Sequence, residues 1–197
     1  MIHFNEALEN SIYVVLDIET TGLNPEEHEI IEIYAFLVEK ERITRKLHRL
    51  VNPGYFIPRR ITEITGITNA MLIGQPSIRE IIYELDDFIK DYIIVGHNVS
   101  FDLSFLNRAY NLYLHKKMTS PSICTLELAK KLIPNLKSYK LSALADYFNI
   151  KYDRLHRAKD DAIITYNIFN KLMDIVRKQY KRELSYFHLK SLINSKI

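Results

Sequence analysis

The sequence predicts a mixed α/β sheet that is covered by helices. Three segments with the composition of strands follow one another near the N-terminus, and the later strand-like segments alternate with helical ones. Consecutive strands pair as an antiparallel meander, whereas strands separated by helices run parallel, so both patterns together predict a mixed sheet. At 197 residues, of which 47% are hydrophobic, the chain has the length and composition of one domain with its own core.

The predicted meander occupies residues 11–18, 29–39 and 42–51. The first segment is short and rich in β-branched and aromatic residues, and it ends at a turn signal over 22–25. A charged turn separates the second segment from the third. The Asn-Pro-Gly sequence at 52–54 ends the meander.

Helices and strands alternate in the rest of the chain. Ser77 is a good N-cap residue, and apolar residues recur at helical spacing over 78–89. The further predicted elements are a strand at 93–96, a helix at 101–114, a strand at 122–125, a helix that ends near 131, a short helix at 140–148, and a long helix that begins near 157 and continues past 176.

We divide the chain into an N-terminal extension (1–10), one folded domain (11–176) and a basic C-terminal segment (177–197). The last segment shifts towards Lys and Arg with scattered aromatic residues. It is expected to continue the last helix, to dock on the domain or to bind a partner as a tail. Most tails of this composition are simply solvated, so that outcome stays open too.

Composition excludes several classes of protein. A single cysteine excludes a disulfide framework and a cysteine-based zinc or iron–sulfur site. No apolar run is long enough to span a bilayer, and residues 1–10 lack the basic residue of a signal peptide. We therefore expect a reducing, cytoplasmic setting and no membrane partner. The 27 Lys and Arg exceed the 24 Asp and Glu, which permits an anionic partner without requiring one.

Asp17 and Glu19 lie at the end of a strand that otherwise has core residues. Because side chains alternate along a strand, both carboxylates lie on one face, where they repel each other and lose hydration. A bound divalent cation would compensate, since hard oxygen ligands suit Mg²⁺ or Mn²⁺. The alternative is that these two acids reach solvent at the strand end.

Asp102 and His156 each precede or open a predicted helix. Asp102 follows a short buried strand, and its interaction with the helix dipole is by itself a sufficient reason for a carboxylate there. A lone histidine before a helix is more often a cap or a surface residue than a catalyst. His156, however, lies five residues before Asp161, an acid whose helical position points to the core.

Helical phase separates Asp161 from the adjacent Asp160. The row that should face the sheet contains Ala158, Asp161, Thr165, Ile168, Leu172 and Val176. Asp160 is rotated from it by about 100°. The row of Asp160 mixes polar and apolar residues, namely Ile164, Asn167 and Lys171. This row is predicted to lie on the outside of the helix.

Three short motifs resemble those of the DEDDh 3′→5′ exonucleases. They are Asp17-Ile18-Glu19-Thr20-Thr21-Gly22-Leu23, His97-Asn98 with Phe101-Asp102, and His156 with Ala158 and Asp161-Ala162. Their order and separation match as well, and the similarity extends over about residues 12–173. Three motifs in order are far more specific than any one of them.

Two segments outside the three motifs indicate which of these exonucleases the sequence resembles most. Residues 61–68, and 125–130 followed by Lys140-Leu141, are most similar to the epsilon proofreading subunits of bacterial DNA polymerase III and to the exonuclease domain of the Gram-positive replicative polymerase. Members often carry Asp before the Thr-Leu pair, where this chain has Cys124. Because that acid is not one of the metal ligands, we expect a change in packing rather than lost activity.

The resemblance implies a ribonuclease H-like fold, with a five-stranded mixed sheet and helices on both faces. It implies that Asp17, Glu19, Asp102 and Asp161 bind two divalent cations, Mg²⁺ or Mn²⁺, and that His156 is the general base. Imidazole suits that role because it titrates close to working pH. The resemblance also assigns contacts with the terminal nucleotide, although each such residue also fits local turn or core structure: Thr20, Thr21, Leu23, Thr65, Gly66, Asn98, Phe101 and His156.

The implied function is metal-dependent release of nucleoside 5′-monophosphates from the 3′ ends of single-stranded DNA, in proofreading. No polymerase domain is recognisable in the sequence, so this role requires a polymerase subunit supplied in trans. One alternative is an exonuclease of the same superfamily that trims RNA. The other is a non-catalytic adaptor that binds nucleic acid or polymerase, against which the complete set of acids and His156 weighs strongly.

Overall fold

A computed structural model describes residues 11–181 and 184–195; the predicted extension over 1–10 lies outside them. Its centre is a five-stranded sheet with the strand order β3-β2-β1-β4-β5. The strands are β1 (Tyr13–Thr20), β2 (Ile30–Glu39), β3 (Arg42–Leu50), β4 (Ile93–Gly96) and β5 (Ser122–Cys124). The five strand segments predicted from the sequence are therefore all present, with boundaries that differ by at most two residues.

Strand directions confirm the predicted mixed sheet. β2 pairs antiparallel with both β1 and β3, whereas β4 pairs parallel with β1 and with β5. Since β1 and β4 run in the same direction, their carboxyl ends lie at the same edge of the sheet. Residues that follow these two strands are thereby brought together.

The helices cover both faces of the sheet, as predicted. They are α1 (Arg59–Thr65), α2 (Asn69–Leu72), α3 (Ile78–Ile89), α4 (Ser100–Ala109), α5 (Thr125–Leu132), α6 (Leu141–Tyr147), α7 (Ala158–Tyr180) and α8 (Tyr186–Asn194). A π-helical turn, Tyr110–Leu114, continues α4. Glu80 closes the start of α3, because its Oε2 accepts hydrogen bonds from the backbone N–H and the hydroxyl of Ser77 at 2.7 and 2.8 Å.

Two apolar clusters form the core, one on each face of the sheet. Val15, Tyr34 and Phe36 pack with α5, α6 and α7 on one face. Val14 and Leu16 pack with α3 and α4 on the other. The alternation of side chains along β1 therefore turns Asp17 and Glu19 to the face that α7 covers.

Two short helices, α1 and α2, were not predicted from the sequence. These short helices pack over one end of the sheet through a small cluster that includes Ile31, Ile61 and Leu72. They span 7 and 4 residues, which is too few for an apolar repeat to stand out from a loop. Gly66 ends α1 in the left-handed conformation, at φ 71°.

The C-terminal segment predicted from residue 177 onwards contains the end of α7 and a further helix, α8. α7 continues past residue 176 to Tyr180, and α8 follows it with Leu189 fully buried in the cluster beneath α7. The division of the chain at residue 176 stays a prediction. Within the described ranges, no helix is both long and apolar enough to cross a membrane.

Candidate active site

Four carboxylates lie at the edge of the sheet where β1 and β4 end. Asp17 and Glu19 are on β1, Asp102 is in the first turn of α4, and Asp161 is in the first turn of α7. Oxygens of Asp17, Glu19 and Asp161 all lie within 4.8 Å of one another. Asp102 joins them from α4, where its Oδ1 accepts a hydrogen bond of 3.1 Å from the backbone N–H of Ile18.

Burial and mutual repulsion disfavour the charged forms of these carboxyls. Burial first, and then the charges of Asp102, Asp161 and Glu19, raise the pKa of Asp17 well above its usual range. Burial and the neighbouring Asp161 raise the pKa of Glu19 to about 8. The pKa of Asp102 is also raised by burial, and that of Asp161 rises to about 6 for the same reason. Without a cation, the site therefore holds protons near neutral pH.

The residues fit a divalent cation. Asp161 Oδ2 accepts a hydrogen bond of 3.1 Å from the backbone N–H of His156. Its Oδ1 is buried and has no hydrogen-bond partner in the part of the chain that the structure describes. A buried carboxylate oxygen without a partner costs free energy unless a cation or a donor reaches it. An all-oxygen set of acids is also the ligand chemistry that Mg²⁺ and Mn²⁺ prefer.

We expect the metal-free protein to lose stability as the pH rises from about 4.5 to about 8, the unfolded and folded pKa values of Glu19. A carboxyl with a raised folded pKa binds more protons in the folded state, so the free energy of unfolding falls with rising pH. Urea denaturation in EDTA at several pH values measures this slope. Glu19→Gln should flatten it, and a stability that increases over the same range would contradict the raised pKa of Glu19.

A further carboxylate near these acids, Glu32, was not predicted from the sequence. It lies opposite Glu19 in the β1–β2 ladder and is fully buried. Both of its oxygens accept hydrogen bonds from Arg157, at 2.6 and 2.9 Å, and it also contacts His48 Nε2 at 2.8 Å. Burial raises the pKa of Glu32, but the hydrogen bonds from Arg157 and His48 outweigh it and hold the pKa below its usual range.

Glu32 fixes the start of α7. Besides binding Arg157, it accepts a hydrogen bond of 3.0 Å from the backbone N–H of Ala158, the first residue of the helix. A detectable signal existed in the sequence, because Glu32 is a charged residue inside a long, otherwise apolar strand. Such a residue in a buried strand needs a partner of opposite charge.

His156 lies on an exposed loop between two anchored positions. Its backbone is left-handed, at φ 61°, which is uncommon for a residue other than glycine. On one side Arg154 Nε donates to Asp160 Oδ2 at 2.6 Å, and on the other Arg157 binds Glu32. Its own N–H is bonded to Asp161. The imidazole is therefore carried beside the acids on a backbone that is held on both sides.

The residues at and after the end of β1 lie next to Asp17 and Glu19 in the sequence, and we call the surface between them and the start of α4 the cleft. Thr20 Oγ1 donates to the carbonyl of Gly22 at 2.6 Å. Thr21 Oγ1 accepts from the N–H of Glu29 at 3.0 Å and lies 2.8 Å from Tyr55 Oη. Both hydroxyls are thus engaged within the protein. Leu23, in contrast, exposes 79% of its surface.

The other predicted contacts lie on α1 and at the start of α4. The buried hydroxyl of Thr65 donates to the carbonyl of Ile61 at 2.9 Å and accepts from the N–H of Ile67 at 3.1 Å. The adjacent Gly66 is exposed. Asn98 is exposed and left-handed, at φ 58°. Phe101 is half-buried, with its ring 5.1 Å from that of Phe105.

Cys124 lies at the junction of β5 and α5, opposite Gly96 in the β4–β5 ladder. It is partly buried and packs at the edge of the apolar cluster beneath α3 and α4. The next residue, Thr125, contacts His97 Nδ1 at 2.9 Å. Burial lowers the pKa of His97 to about 4, so this histidine is neutral. Cys124 therefore occupies a packing position, and its effect on activity stays a prediction.

Comparison with known proteins agrees with this geometry. Residues 14–169 match the family model RNase_T, described as Exonuclease. DNA polymerase III subunit epsilon of Aquifex aeolicus is 43% identical over 195 residues, which are 99% of this chain and 96% of that protein. DNA polymerase III PolC-type of Thermotoga petrophila is 38% identical over 177 residues, 90% of this chain but only 13% of that much longer protein.

Solved structures have the same fold. A structure of Exonuclease X in complex with 5′ overhanging duplex DNA superposes with a TM-score of 0.73 at 25% identity, and the match covers 92% of this chain and 99% of that one. E. coli Exonuclease I in complex with a dA16 oligonucleotide gives a TM-score of 0.75 at 18% identity over 92% of this chain and 43% of that chain, and supports the fold alone. The predicted ribonuclease H-like fold and family resemblance are confirmed, and the chain belongs to the exonuclease family.

Proposed function

We propose that this protein removes nucleotides from the 3′ end of single-stranded DNA as a proofreading exonuclease. The observation that carries the proposal is the meeting of four acids, Asp17, Glu19, Asp102 and Asp161, at one edge of the sheet with raised pKa values. The resemblance to an epsilon subunit over nearly its whole length supports the same conclusion.

The four acids would hold two divalent cations, Mg²⁺ or Mn²⁺. When bound, such cations supply Lewis-acid stabilisation of the charge that develops on the phosphate and on the leaving oxygen. The protein's contribution is to hold four carboxylates so close together that they need cations. The Oδ1 of Asp161, which has no hydrogen-bond partner among the described residues, is the oxygen that most clearly requires a cation.

His156 would act as the general base. It lies on the surface of the loop that precedes α7, and its backbone is bonded to Asp161. From there the imidazole can take the proton from the attacking water and release it to solvent. Arg157 and Glu32 would serve as positioning residues, because they hold the backbone on which His156 is carried.

The cleft would hold the terminal nucleotide between the end of β1 and the start of α4. Leu23 and Phe101 offer apolar surfaces to a base, and neither reads its identity. Asn98 and Gly66 would contact the strand from exposed turns. Since the hydroxyls of Thr20, Thr21 and Thr65 are bonded within the protein, these residues would shape the cleft and contact DNA through their backbone.

A DNA polymerase subunit would be the protein partner. The support is that relatives of this chain are a subunit of DNA polymerase III and one part of a longer PolC-type polymerase. A proofreading exonuclease must receive the 3′ end from a polymerase. We therefore expect the protein to act beside the replicating chromosome, in the cytoplasm.

A degradation assay with matched DNA and RNA oligonucleotides tests this function. We expect a 5′-labelled DNA strand to give a descending ladder, one nucleotide at a time, only when Mg²⁺ or Mn²⁺ is present. A 3′-phosphate should slow the reaction, because the cleft addresses a free 3′ end. Immediate release of a short 5′-labelled product would contradict the assignment. Faster loss of RNA would favour RNA trimming, and no loss of either strand would favour an adaptor.

A further inference from the structure

A surface pocket of about 270 Å³ lies between the segment that follows β3 and the helix α2. It is separate from the four acids and has no part in the mechanism above. We call it the aromatic pocket. Its lining residues are Asn52, Gly54, Tyr55, Phe56, Asn69, Leu72 and Ile73.

The aromatic pocket presents large apolar side chains to water. Phe56 exposes 80% of its surface and Ile73 exposes 72%. Their neighbours Ile57 and Leu72 are buried in the small cluster over β2, so the backbone that carries the two exposed side chains is fixed by packing. Adjacent exposed apolar side chains on a rigid support are typical of a binding surface.

The polar groups of the aromatic pocket are already engaged. Asn69 Oδ1 accepts from the N–H of Ile57 at 2.7 Å, and its Nδ2 donates to the Ile57 carbonyl at 3.3 Å. Asn52 Oδ1 accepts from the N–H of Gly54 at 2.9 Å. A ligand in this pocket would therefore be held by contact with apolar side chains. The pocket would not select it by hydrogen bonds to the Oδ1 atoms of Asn52 and Asn69. That suits a nucleobase of any identity.

The aromatic pocket adjoins the residues at the end of β1 through Tyr55. Tyr55 Oη lies 2.8 Å from Thr21 Oγ1, and Thr21 is two residues from Glu19. Arg60 is exposed at the start of α1, and so is Arg59, whose guanidinium pairs with Glu63 Oε1 at 2.9 Å. Aromatic faces combined with positive charge are the usual composition of a track for single-stranded nucleic acid.

We propose that the aromatic pocket is a second subsite for the DNA strand, which binds a base upstream of the terminal nucleotide by stacking on Phe56 against Ile73. This inference rests on the proposed function. The pocket is lined by 7 residues, whereas a stable protein–protein interface uses about 20–30 residues on each side. A single strand that leaves the adjacent cleft therefore fits better than a protein partner.

The test compares Phe56→Ala and Ile73→Ala with wild type on two substrates. One is an oligothymidylate of about ten nucleotides, whose upstream bases can reach the pocket. The other is the p-nitrophenyl ester of thymidine 5′-monophosphate, which has no upstream base. For the oligonucleotide we expect KM to rise about 10-fold in Phe56→Ala, from the loss of one stacked base, with kcat nearly unchanged. Hydrolysis of the ester should not change.

Tyr83→Ala is the matched control, because Tyr83 is an exposed aromatic residue on α3, away from the cleft. It should leave both substrates unaffected. Fluorescence anisotropy of the labelled oligonucleotide in EDTA should show the same weakening for Phe56→Ala as the KM does, and this measurement does not depend on turnover.

Three results would decide against the subsite. An unchanged oligonucleotide KM and affinity would overturn it and leave the surface to a protein partner. An equal loss on the ester would mean that the cleft itself is deformed. A loss as large in Tyr83→Ala would show a non-specific effect. If wild type hydrolyses neither substrate, the proposed function fails instead, and the anisotropy of Phe56→Ala still decides whether the pocket binds the strand.

Discussion

Asp161→Asn should reduce exonuclease activity by about 10³-fold or more. Removal of one carboxylate from the site weakens cation binding, and the charge stabilisation that a metal ion supplies is worth several kcal/mol, or about tenfold per 1.4 kcal/mol. Asparagine keeps the shape of the side chain and can still accept the hydrogen bond that Asp161 Oδ2 receives from the N–H of His156. The loss would therefore reflect the missing charge. Turnover and Mn²⁺ affinity, by calorimetry, measure it.

The adjacent Asp160→Asn is a control of the same chemistry. Asp160 pairs with Arg154 at 2.6 Å in a largely solvent-exposed ion pair, and such pairs contribute about 0–1 kcal/mol. We expect this variant to keep most of its activity and its Mn²⁺ affinity. Equal activity in both variants would rule out Asp161 as a metal ligand.

The stability of the metal-free variants shows whether the charge of Asp161 repels the neighbouring acids or supports the fold. Asp161 is buried among like charges, and burial raises its pKa to about 6. Asp161→Asn should therefore be as stable as wild type, or more stable, in urea denaturation with EDTA above that pH. A large destabilisation would instead mean that the charge of Asp161 supports the fold, and the lost activity would then have a different cause.

Helical periodicity was sufficient to orient α7, with one error. The six residues of the predicted inner row, from Ala158 to Val176, are all buried in the structure. Asp160 is half-exposed, as its outer row predicts, but Ile164 in the same row is buried. Ile164 belongs to the apolar cluster against which Tyr152 and Leu155, on the loop before α7, also pack. A loop without periodicity gives no such signal in advance.

The four acids could be predicted because each combines a local pattern with a motif. Asp17 and Glu19 follow from alternation at a strand end, and Asp161 follows from helical phase. Glu32 could not be placed beside them, because its position opposite Glu19 depends on the register between β1 and β2. The binding of Arg157 by Glu32 likewise joins residues 125 positions apart. Register and long-range pairing are properties of the folded sheet.

His156→Ala should lower turnover by about 10²–10⁴-fold, the usual contribution of a general base. Its imidazole lies on an exposed loop, whereas its contact with Asp161 is made by the backbone N–H. Alanine keeps that hydrogen bond, so Mn²⁺ affinity should remain close to that of wild type. Single-turnover rates with an oligonucleotide, together with calorimetry of Mn²⁺ binding, measure the two effects separately.

The pH dependence distinguishes a base from a positioning group. A general base must be deprotonated to act, which gives the pH–rate profile an acidic limb. The profile is measured at saturating Mn²⁺, because the four acids themselves hold protons near neutral pH without a cation. His156→Ala should lose that limb as well as its turnover, and added imidazole should restore part of the rate. His115→Ala is the matched control, because His115 is also exposed and left-handed, at φ 52°, but lies at the end of the π-helical turn. An unchanged rate in His156→Ala, or an equal loss in His115→Ala, would return His156 to a role in the structure of the loop.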